Sequence, residues 1–95
     1  MNDGTKLSSI WLENGNPDAM MTAVQKMVRN AKTVVLAGVP RRLIYARSQE
    51  LNIDMAELIR KTGKGGGRPE LASGSGEAAS ITNAVNLLRS NEKPE

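Results

Sequence analysis

The residues of this chain best suited to chemistry form one unbroken string, Gly63-Lys64-Gly65-Gly66-Gly67-Arg68-Pro69. Glycine gives up more conformational freedom on folding than any other residue, so three in a row imply a need for bare backbone. Uncovered amides can face an anion, and Lys64 and Arg68 add positive charge from either side. Pro69 fixes one dihedral and stiffens the exit. The expected chemistry is the holding of a phosphate or a ribose-phosphate backbone. Its expected contacts are Lys64, Arg68 and the amides of Gly65, Gly66 and Gly67, with Lys61, Arg60, Arg41 and Arg42 in second rank. The bland counterpart is a flexible linker. Linkers are usually Ser-rich and longer, whereas apolar-periodic segments flank this one.

Familiar phosphate motifs do not fit the string. A Walker-type loop needs G-x-x-x-x-G-K-[ST]; Leu58 stands at the first glycine and Gly65 follows Lys64. The dinucleotide fingerprint G-x-G-x-x-G meets Arg68 or Glu70 at its last position, and the string follows a helical segment rather than a strand. Triphosphate hydrolysis by this chain is not supported. Nor is metal chemistry: with no His and no Cys, a zinc site would rest on carboxylates alone. The commonest general base is missing too. The chain is therefore expected to be no enzyme by itself and to need no cofactor.

Charge points the same way as the glycines. The net value is +3, but ten cationic and only three acidic residues lie between Lys26 and Arg68. A polyanion meeting the middle of the chain is the functional reading; an ordinary solvated surface is the plain one. No run of about 18 apolar residues exists to span a membrane. Zero Cys suits the cytoplasm. The N-terminus lacks the basic and apolar regions of a secretory signal.

The elements that must position the string can be read from periodicity. Leu7–Leu12 reads as a strand with Ile10 and Leu12 on one face and Trp11 on the other. Asn16-Pro17-Asp18 opens a helix, with Asn as cap, Pro at the first position and an early acid. Met20, Met21, Val24, Met27, Val28 and Ala31 give it an apolar stripe, read as core packing. Thr33–Gly38 is a buried strand and Leu43–Arg47 its antiparallel partner. Asp54, with Glu57 three residues on, starts a second helix, which ends near Gly63. A short strand at 69–73 and a third helix carrying Ala78, Ile81, Ala84, Val85 and Leu88 follow. The order β-α-β-β-α-β-α predicts an α/β sandwich with helices over one mixed sheet. Residues 7–89 are expected to form the domain, with 1–6 a flexible N-terminus or linker and 90–95 a fraying tail. Gly74-Ser75-Gly76, before the third helix, is a further amide-lined candidate. Glu77 already meets that dipole, which favours a plain turn.

The longer string from Gly63 to Gly76 resembles the signature of the DHHA1 domain, especially the version at the C-terminal end of alanyl-tRNA synthetases. There, G-K-G-G-G-R-P precedes an acid, an apolar residue, Ala and a glycine pair. Departures are mild: Glu70 and Leu71 stand where Asp and Met are usual, Ser73 where Gln is common, and Ser75 separates the last glycines. The resemblance implies an accessory role, contacting tRNA beside the catalytic and editing domains of a parent synthetase. It also implies an excised module or a free-standing relative that neither charges nor deacylates tRNA alone. With Trp11 and Tyr45 the only aromatic residues, base stacking is poorly supplied, and contact through backbone charge and shape is the expectation. Two alternatives stand beside it. One is the substrate-binding half of a DHH-type phosphoesterase for oligonucleotides or cyclic dinucleotides, although His usually stands there in place of Arg68-Pro69. The other is an oligomerisation module, forming a homodimer through Met-rich helix faces.

Overall fold

The computed structural model describes residues 4–90. The expected tail beyond residue 90 and the first three residues of the expected linker lie outside them. Eight elements follow in order: β1 (Lys6–Trp11), α1 (Pro17–Met27), β2 (Thr33–Val39), β3 (Arg42–Arg47), α2 (Met55–Thr62), β4 (Lys64–Arg68), β5 (Leu71–Ser75) and α3 (Ala78–Ser90). The strands form one mixed sheet in the order β1-β2-β3-β5-β4. β1 runs parallel to β2, which requires a crossover, and α1 supplies it. The remaining pairs are antiparallel.

Helices cover both faces of this sheet. Val35, Ala37 and Val39 of β2 meet Met20 and Val24 of α1, together with Ile44 and Ala46 of β3. Val34 and Leu36 point the other way, toward Met55 and Ile59 of α2 and Ile81, Ala84 and Leu88 of α3. Every residue of β2 is therefore buried, the condition under which a strand reads as a continuous apolar run. The sandwich anticipated from the sequence is the fold observed. Met20 and Met55 are buried and Met21 and Met27 pack against the core, as the packing reading of the α1 methionines required. Among the described residues no helix is long and apolar enough to cross a membrane.

Helix starts follow local chemistry. The Asn16 side chain accepts from the amides of Asp18 at 2.8 Å and Ala19 at 3.2 Å. Asp54 accepts from the Glu57 amide at 3.2 Å. Each satisfies a donor that the first helical turn leaves orphaned. Helix and strand ends were less legible. α1 stops at Met27 with Val28 as its C-cap, so Ala31 falls in the following turn and is exposed rather than part of the stripe. β1 stops at Trp11, and Leu12 is half exposed instead of sharing a face with Ile10.

The largest difference concerns the glycines. The segment read as a loop is β4, the edge strand of the sheet, and it adds one strand to the anticipated order. Glycine is a poor strand former, so tertiary partners impose this conformation. β5 pairs with β4 from Lys64↔Ser75 to Arg68↔Leu71. The connecting turn is anchored at both residues: the Pro69 carbonyl accepts from the Met55 amide at 2.8 Å, and the Glu70 carbonyl from the Arg47 amide at 3.1 Å.

Candidate nucleic-acid interface

The fold requires glycine at two of the three central positions of β4 and not at the third. A Cβ on Gly65 would lie 2.4 Å from the Ser73 carbonyl oxygen, and one on Gly67 would lie 2.9 Å from Leu71 O and Ala72 Cα. Both also adopt positive φ, 150° and 146°, which side chains disfavour. Close approach of β4 to β5 accounts for these two. Gly66 is different. Its nearest neighbour would be Arg60 Nη1 at 3.5 Å, an ordinary contact, and its φ carries no such restriction. The fold does not demand glycine there, although the outer surface of β4 is left bare by it.

As an edge strand, β4 has no partner on its outer side among the described residues. Extended backbone turns successive N–H groups to opposite sides. The amides of Gly65, Gly66 and Gly67 therefore do not converge on one anion as a loop would allow; alternate groups face the open edge. The flanking cations are likewise separated. Four residue steps place Lys64 and Arg68 about 13 Å apart along the strand. At that separation they do not clasp a single phosphate between them.

The second-rank cations gather at the middle and the Lys64 end of β4, away from Arg68. Arg60 and Lys61 occupy the last turn of α2, both exposed, and the Arg60 guanidinium lies beside Gly66. Arg42 begins β3 at the sheet end where Lys64 begins β4, roughly two strand spacings, or about 10 Å, away. Arg41 sits in the β2–β3 turn with φ 71°. Arg68 stands at the opposite end and pairs loosely with Glu70 at 3.9 Å. Its side chain is 82% exposed, a setting in which an ion pair contributes little. Arg68 is thus open to another partner.

Neither aromatic residue lies beside β4 with an open face: Tyr45 is in the core and Trp11 is on the opposite edge strand. Tyr45 is fully buried, its hydroxyl 2.9 Å from Thr62 Oγ1, and burial pushes its ionisation above the ordinary phenol range. Trp11 packs against the core and donates to Glu13 at 2.7 Å. At the candidate before α3, the Glu77 amide donates to Ser80 Oγ at 3.2 Å. Gly74 and Ser75 belong to β5. Groups of His, Cys, Asp and Glu fit to hold a metal are absent among the described residues.

A small mixed-sheet module with helices on both faces, ending in a bare cationic edge strand, is the class defined by fold and site. Residues 4–93 match the DHHA1 domain, and the chain belongs to that family. An alanine–tRNA ligase of Methanococcus maripaludis is 34% identical over 61 residues. One of Methanococcus vannielii is 33% identical over the same length. Each alignment covers 64% of this chain, which spans 7% of those relatives. Among solved structures, the C-Ala domain of Aquifex aeolicus alanyl-tRNA synthetase superposes with a TM-score of 0.75 at 27% identity, covering 88% of this chain and 87% of that one.

Proposed function

We propose that this chain is a non-catalytic tRNA-binding accessory domain, acting in the cytoplasm beside the catalytic and editing domains of a synthetase. RNA backbone passes along the outer edge of β4, with Lys64 and Arg68 at its two ends and Arg60, Lys61, Arg41 and Arg42 as outlying charge. The observation that carries this reading is the bare edge of β4 between two exposed cations. The names of the relatives supply the kind of RNA. Recognition would rest on charge and on close approach of backbone to phosphate, since Tyr45 is buried and Trp11 lies on β1, at the edge of the sheet opposite β4.

Titration of isotope-labelled protein with folded tRNA, followed by amide NMR, tests the proposal. The expected result is movement of the Gly65–Arg68 amides and binding that fades with salt. Each phosphate contact contributes roughly 0.7–0.9 to the log–log slope. Motionless amides there, with shifts confined to distant residues, defeat the assignment. Gly66→Val is the sharper probe, because the fold leaves room for its Cβ. It is expected to weaken binding more than Lys64→Ala does; equal or smaller damage would argue against close approach of the RNA.

A further inference from the structure

On the α1 side of the sheet, an open groove of about 470 Å³ lies between the end of α1 and the Pro69-Glu70 turn. Val28 and Leu71, both partly buried against the α1-side core, line its inner part. Three arginines from three separate segments also border it: Arg29, Arg47 and Arg68. Nothing in the sequence groups them, because they are brought together only by the pairing of β3 with β5 and the position of α1.

The three are differently committed. Arg47 is pinned, donating from Nε to the Ile53 carbonyl at 2.5 Å and from Nη1 to the carbonyls of Ser48 and Gln49 at 3.0 and 3.3 Å. Its cross-strand partner Val34 faces α2 and α3, so the Arg47 side chain leaves the sheet on the face opposite Val28 and Leu71. Arg29 is exposed, and its guanidinium makes no hydrogen bond or ion pair among the described residues. Arg68 has only its loose contact with Glu70. Two carboxylates also line the groove: Glu50, which accepts from the Lys32 amide, and Glu70, which faces Arg68. A groove of this size accommodates a small ligand or part of a larger one. On the groove's own face, the unpaired Arg29 and the loosely paired Arg68 favour phosphate oxygens, which match their planar donors.

Arg68 belongs to both surfaces. It ends β4, and it stands at the groove beside Leu71. We infer that the groove is a second backbone site for the RNA that follows β4, with Arg29 and Arg68 as phosphate contacts and Val28 and Leu71 seating a ribose. This rests on the RNA-binding reading. RNA running from Lys64 to Arg68 would continue directly into it.

The test uses the whole chain, methyl-labelled at Val and Leu and amide-labelled throughout, titrated with a folded tRNA transcript. The Val28 and Leu71 methyls are expected to shift together with the Gly65–Arg68 amides. Arg29→Gln is expected to weaken binding about tenfold and to lower the salt slope by one phosphate contact, roughly 0.7–0.9. Its melting temperature should not change, because Arg29 holds no part of the fold together. Motionless Val28 and Leu71 methyls, or unchanged affinity and slope in Arg29→Gln, overturn the groove; moving β4 amides would then leave the RNA-binding reading standing. If neither set of signals moves, both fail together.

Discussion

The β2–β3 and β4–β5 hairpins both close on two residues led by proline, Pro40-Arg41 and Pro69-Glu70, yet opposite physics holds them. In the first, every residue of β2 and four of the six in β3 are buried, so side chains packed on two sheet faces supply the stability. In the second, β4 has almost no side chain to bury. It is held by backbone pairing to β5, by the anchored carbonyls of its turn and by α2 alongside. The buried hairpin tolerates loss of atoms badly. The glycine hairpin tolerates their addition badly, except at Gly66. That single tolerance leaves the edge bare without strain and makes the position informative.

Substitutions can break this contrast. Leu36, fully buried between β2 and the α2–α3 layer, should cost about 2–5 kcal/mol as Leu36→Ala, measured by urea unfolding. A loss below 1 kcal/mol would mean that the sheet core is not what stabilises this hairpin. In the other hairpin, Gly65→Ala puts a Cβ against Ser73 O at a positive φ. It should cost about 2–4 kcal/mol, and a neutral result would refute the close approach of β4 to β5.

Titration gives a smaller effect. The Tyr45 pKa is raised chiefly by burial, partly offset by the Thr62 hydroxyl. A raised acid stabilises the fold fully below its unfolded value and loses that contribution as pH climbs through the folded one. The melting temperature is therefore expected to fall above about pH 10, and more steeply than in Tyr45→Phe, which carries no ionisable hydroxyl. Parallel curves would remove Tyr45 from the account. Smallest of all, Gly66→Ala should change stability by about 0.5 kcal/mol or less. A large loss would make Gly66 structural and cost the interface its cleanest probe.

Much of the fold was legible because its signals are local. Asn16-Pro17-Asp18 and Asp54 start helices through hydrogen bonds with residues two or three positions away. The run from Val34 to Gly38 is apolar throughout because both sheet faces are covered. The cations at Lys64 and Arg68 and the bareness between them were legible as well. Their arrangement was not, since glycine carries no alternation to betray a strand. Ala31 matched the helical period but lay beyond the C-cap, where the chain turns toward β2. Arg29 and Arg47 had no signal beyond the general excess of cations in the middle of the chain, and they are eighteen residues apart.

The sequence alone determined the composition of the core, the helix starts, the absence of His and Cys, and a side-chain-free stretch between two positive charges. Each of these is a property of residue types and short spacings. Only the tertiary structure decided that this stretch is an extended edge instead of a closed cradle. Backbone with no side chains takes the shape its neighbours permit, and here β5, α2 and the anchored turn permit a strand.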